Sequence, residues 1–128
     1  MQYLIFILIV TFMMLLVPLK GSAMGDNPKK IEQIKQNYAK LNLTDGVSRE
    51  EALIIAQNFV INDSYASSSV VISSGKVMES GFKKTLGNCW AVSFNAKLKV
   101  KRQTGLKWFT LHIDKTTGEI KVKDWGPS

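Results

Sequence analysis

Residues 3–19 (YLIFILIVTFMMLLVPL) run for 17 positions without a charge and with almost no polar atoms. A stretch of this kind reads as a signal peptide or a membrane anchor more readily than as a buried core helix. Lys20 ends it, and Gly21-Ser22-Ala23 follows, with small residues where a signal peptidase requires them. The expected reading is a signal peptide over residues 1–23, cleaved after Ala23, and export to the periplasm or the extracellular space. The run is longer than the usual apolar core of about 7–15 residues, and no Lys or Arg precedes it. Its length approaches that of a bilayer-spanning helix, so an uncleaved N-terminal anchor over 3–19 is the alternative. No Cys follows the run, which excludes a lipid-linked cysteine at its end.

Residues 24–128 have the size of one domain and can bury a core without metal or disulfide support. They hold 16 Lys and Arg against 10 Asp and Glu. A single Cys and a single His exclude an intramolecular disulfide, a Cys/His zinc site and any multi-His centre. No Gly-rich phosphate loop, His-x-x-x-His or Gly-x-Ser-x-Gly occurs, so no cofactor or metal is expected.

Pro28 suits the first turn of a helix, and Ile31, Ile34, Tyr38 and Leu41 follow at helical spacing until Thr44-Asp45-Gly46 breaks the pattern. Ser48-Arg49-Glu50-Glu51 then reads as a capping box, with Val47 and Ala52 spaced as a hydrophobic staple. Ala52, Leu53, Ala56, Phe59 and Val60, with Ile55 beside them, form a broad apolar stripe ending near Asn62-Asp63. That breadth predicts a helix packed on a sheet. Val70-Val71-Ile72 and Lys76–Phe82 are candidate short strands. From Cys89 the period becomes two: Trp90, Val92, Phe94, Ala96, Leu98 and Val100 alternate with Ala91, Ser93, Asn95, Lys97 and Lys99. Turns at Arg102–Gly105 and Lys115–Gly118 separate this strand from Phe109-x-Leu111-x-Ile113 and from Ile120-x-Val122. The predicted fold is α+β: two N-terminal helices, one of them packed on an antiparallel meander of three to five strands, in two layers within a single domain over 24–128.

If each four-residue turn closes its hairpin symmetrically, Phe94 lies opposite Ile113, Ile113 opposite Ile120 and Leu111 opposite Val122, and the apolar sets agree. The other face then carries Asn95, His112 and Lys121 in one row. Lys97, Thr110 and Lys123 form the next, and Lys99, Trp108 and Trp125 the third. Two tryptophans among lysines fit a partner-binding surface. Residues 97–124 hold eight Lys/Arg and three acids, against eight and seven in 24–96. The bland alternative is a solvated charged face whose lysine stems or first helix cover the rings.

Catalysis is not expected. In this register Cys89 and His112 stand six residues apart along the strands and form no dyad. Cys89 reads as a half-buried thiol, or as one that pairs with a second chain. Glu51 is accounted for by capping, and no second carboxylate falls beside it.

The capped helix Ser48-Arg-Glu-Glu-Ala-Leu-Ile-Ile-Ala56, the strand Trp90-Ala-Val-Ser-Phe94 and the hairpin His112-Ile-Asp-Lys-Thr-Thr-Gly-Glu-Ile120 together resemble PepSY-type domains and small bacterial immunity proteins of the cystatin-like, nuclear-transport-factor-two-like kind. The resemblance spans about residues 47–124 and implies a helix on an antiparallel sheet and a non-enzymatic role. Peptidases would be the partners in the first group and toxins in the second. The sequence reading is an exported, protein-binding or inhibitory module whose partner is another envelope or secreted protein with an acidic surface. Contact with anionic lipid or cell-wall polymer is the alternative, and no nucleic-acid partner is expected.

Overall fold

The computed structural model describes residues 28–80 and 87–127. The segment expected to be a signal peptide or anchor, with its cleavage site at Ala23, lies outside the described residues, as does the end of the Lys76–Phe82 candidate strand. Residues 33–128 form one compact unit. Among the described residues no helix is long and apolar enough to cross a membrane.

Helix α1 spans Pro28–Ala39 and buries Ile34. Helix α2, Arg49–Asn62, starts at the predicted capping box: Ser48 Oγ accepts from the Glu51 amide at 3.2 Å, and the Ser48 amide donates to Glu51 Oε1 at 2.9 Å. A box of this kind stabilises a helix end by about 1 kcal/mol. Asp63 closes α2 and also opens the short α3, Ser64–Ser69, by accepting from the Ala66 amide at 2.9 Å.

The strand expected at Val70-Val71-Ile72 reduces to one bridge, Val70 to Ala96, followed by a 3-10 turn over Ile72–Ser74. Four antiparallel strands then lie in sequence order: β1 Lys76–Glu79, β2 Cys89–Asn95, β3 Trp108–Asp114 and β4 Ile120–Gly126. The architecture is the two-layer α+β arrangement that the periodicities predict. Ala52, Ile55, Ala56 and Val60 of α2 meet Val92, Phe94, Phe109, Leu111 and Ile113 in one continuous core. Phe94, Leu111, Ile113, Val60, Val70 and Val92 are its largest fully enclosed side chains.

At the free side of β1 the alternation of an antiparallel ladder turns the Val77 carbonyl outward, and Arg49 Nη1 donates to it at 2.7 Å. Trp90 joins the layers. Its Nε1–H donates to the Val47 carbonyl at 2.8 Å, and its ring lies beneath the Arg49 guanidinium and the Lys115 ammonium, 5.2 and 4.5 Å from the centroid. Lys115 also pairs with Glu79, and its carbonyl accepts from the Val47 amide at 2.7 Å.

Two expectations about the meander are overturned. Strand β2 stops at Asn95, and Leu98–Thr104 is a helix, α4, capped by Gly105 in the left-handed region at φ 77°. The pairing therefore shifts by four residues: Phe94 lies opposite Phe109, and Ile113 opposite Trp90. The shift is even, so the core residues keep their face. The second difference is a bulge in β4. Ile113 pairs with Ile120 as expected, but His112 pairs with Val122, leaving Lys121 as the extra residue. Beyond it every side chain of β4 changes sides.

Candidate functional site

The sheet face away from α2 is built by alternate residues of all four strands. One row is Met78, Ala91, His112 and Val122, and the next is Lys76, Ser93, Thr110 and Asp124. The last is Asn95, Trp108 and Gly126. Met78, Trp108 and Val122 are exposed by 45, 36 and 37%. At the opposite end the face is closed, because Ser80, Cys89 and Ala91 are buried.

Of the residues expected on this face, Asn95, His112 and Trp108 are there. The indole of Trp108 lies over Gly126, where any Cβ would overlap it, so the glycine lets the ring lie on the sheet. Trp125 is not there. The bulge turns it toward the helices, where it pairs with Phe109 at 4.6 Å between centroids and meets Tyr65 edge-on at 5.4 Å. Lys123 turns with it and lies 5.0 Å over the Phe59 ring. Lys97 and Lys99 leave the sheet altogether: Lys97 is the N-cap of α4 and Lys99 lies within it. Lys121 is the bulged residue and bonds to Glu119 at 3.1 Å, which lifts its ammonium above the ordinary lysine range. Met78 and Lys76 were missed because β1 lies in a serine- and glycine-rich stretch whose period is hard to read. The signal for α4 was present: a run of helix formers, Lys101 and Arg102 in the last turn, then Gly105.

The shifted register also revises the neighbourhood of the one thiol. His112 lies opposite Ala91, two residues along the strands from the Cys89–Asp114 pair rather than six. Its Nδ1 is hydrogen-bonded to Ser80 Oγ at 2.6 Å. Cys89 is free and 2% exposed, more enclosed than the half-buried thiol expected. Burial pushes that thiol upward and the Asp114 charge pushes it further, against the opposing pull of Lys121 and Lys115. A thiol raised in this way stays protonated at neutral pH and is a poor nucleophile.

Asp114 holds the following turn. Its Oδ1 accepts from the amides of Thr116 at 2.8 Å and Thr117 at 2.9 Å. The Thr117 and then the Thr116 amide hold the carboxyl below its ordinary range. A carboxylate whose folded value is depressed contributes stability that is complete above its unfolded value near 4 and disappears as pH falls through the folded value. We expect Asp114→Asn to lower the unfolding midpoint at pH 7 and to approach wild type as acidification carries the carboxyl through its depressed folded value, read by urea denaturation across pH.

On the helix side, Tyr38, Leu41, Leu43 and Ile55 line a cleft of about 310 Å³ above Thr117, Gly118 and Glu119. A second of about 290 Å³ shares Tyr38, Ile55 and Gly118 and reaches Phe59 and Ile120. Glu119 is the one titratable carboxylate among their lining residues. No group of three His, Cys, Asp or Glu among the described residues is placed to hold a metal ion. No protein-family model, curated protein or solved structure matches the chain.

Proposed function

We propose that this chain is an exported, non-catalytic binding module that grips another envelope or secreted protein on the sheet face away from α2, around Trp108. The observation that carries the reading is a rigid platform. Trp108 lies on Gly126, while Met78 and Val122 stand exposed on the same face, and the face is turned away from α2. A large aromatic on a preformed sheet loses little entropy on binding, which is why such residues dominate interface energetics. Lys76 lies in the row beside Met78 and Lys121 precedes Val122 on β4, and these cations favour an acidic partner surface.

The motifs that resemble PepSY-type and immunity proteins sit on α2, β2 and the β3–β4 hairpin. In an immunity protein the partner is a toxin, and in a peptidase inhibitor a peptidase. The apolar run at residues 3–19 supports export or membrane anchoring of the module.

The test is affinity capture from envelope and secreted fractions by wild type and by Trp108→Ala and Met78→Ser, each first shown to unfold at the wild-type temperature. One acidic partner should be retained by wild type, bind more weakly as salt rises, and lose at least about thirtyfold in affinity to Trp108→Ala. A partner that ignores both substitutions but is lost on Tyr38→Ala would move the contact to the helix side and end this reading.

A further inference from the structure

Helix α4 has no buried residue. Isolated helices shorter than about 12–15 residues are marginal in water, so its seven residues need a surface to pack on. Gly105 and a bond from Thr104 Oγ1 to the Val100 carbonyl at 2.7 Å close its end without supplying one. Val100 and Lys101 are half-covered and mark the side turned toward the domain. At about 100° per residue, Leu98, Arg102, Lys99 and Gln103 occupy the opposite arc, and all four are exposed. Leu98 is 61% exposed, more than any other large apolar side chain of the described residues. Residues 97–107 contribute five Lys and Arg and no acid.

An apolar tip within a ring of cations matches the boundary of an anionic bilayer, where leucine enters the acyl region and the cations stay among the headgroups. Nucleic acid would call for an aromatic stacking platform, which this arc lacks. We propose that α4 docks on an anionic membrane surface, with Leu98 inserted and Lys99 and Arg102 on lipid phosphates. This inference is independent of the sheet-face reading, since the outward arc of α4 does not belong to that face.

Amide hydrogen exchange on the full chain tests it, in phosphatidylcholine vesicles with or without phosphatidylglycerol, so that the two differ in headgroup charge and offer the apolar run 3–19 the same acyl chains. Amides of residues 98–104 should exchange at least about tenfold more slowly in the anionic vesicles, and the effect should vanish at high salt. Lys99→Glu/Arg102→Glu should abolish the slowing and Leu98→Ser should reduce it, with thermal unfolding of both variants unchanged. Equal exchange in the two vesicle types overturns the proposal, as does slowing that survives the double charge reversal. Equal slowing by soluble polyglutamate without vesicles also overturns it and assigns α4 to an acidic polypeptide. Loss of partner capture by Trp108→Ala leaves all of these outcomes unaffected, so the two readings fail separately.

Discussion

Trp90→Ala should lower the stability of the domain by about 3–4 kcal/mol, the larger part from lost burial and packing and the rest from the contacts of the indole. Arg49 and Lys115 both lie over the ring, and its N–H satisfies the carbonyl of the buried Val47. Those partners belong to the start of α2 and to the β3–β4 turn, so one side chain ties the helical layer to the far hairpin. Trp90→Phe separates the contributions. It keeps an aromatic face for the two cations but leaves the Val47 carbonyl without its donor, and we expect a loss of about 1–2 kcal/mol. Urea denaturation checks both variants, with the midpoint falling in that order while the slope stays at the wild-type value. If Trp90→Phe were as damaging as Trp90→Ala, the hydrogen bond would outweigh the ring and its cation contacts.

Trp125→Ala should lower stability by about 2–4 kcal/mol, because Trp125 packs on Phe109 and Tyr65 on the helix side. Trp108→Ala should change stability by less than about 1 kcal/mol, because its ring rests on the open face over Gly126. The pair tests the bulge directly. Without it both tryptophans would stand on one face and their substitutions would act alike. Thermal or urea unfolding of the two variants, set beside partner capture, should show one failing in stability and the other in binding.

Much of the architecture was legible where local chemistry and tertiary packing agree. The capping box at Ser48 uses neighbouring atoms alone, so four residues suffice to place the start of α2. Trp90, Val92 and Phe94, like Phe109, Leu111 and Ile113, alternate because one face of each strand meets the helix. The errors arose where two periods fit the same letters. Ala96, Leu98 and Val100 continue the alternation of β2, yet the core reached by the covering helix ends near Phe94 and Phe109, so a longer strand would have no layer to bury against.

Lys121 was harder still. A bulge depends on how two strands fit over several residues, and Lys121-Val-Lys123 alternates as well as any strand. The four-residue shift between β2 and β3 leaves His112 and Asn95 on the expected face but in other rows, and the bulge puts Trp125 on the opposite face. The composition of the open face survived only in part: Trp108 remained, while Met78 and Lys76 replaced lysines that belong to α4 and to the helix side.

The hydrogen bond from Arg49 to Val77 bears on how copies of this protein meet. Sheets polymerise through bare edges, and here one edge strand has four residues and an arginine seated on an outward carbonyl. The other edge is broken by its bulge and carries Lys121 and Lys123. Strand addition is discouraged at both margins, so the molecule can leave apolar and aromatic side chains open on its sheet face without offering its neighbours a template for fibrils.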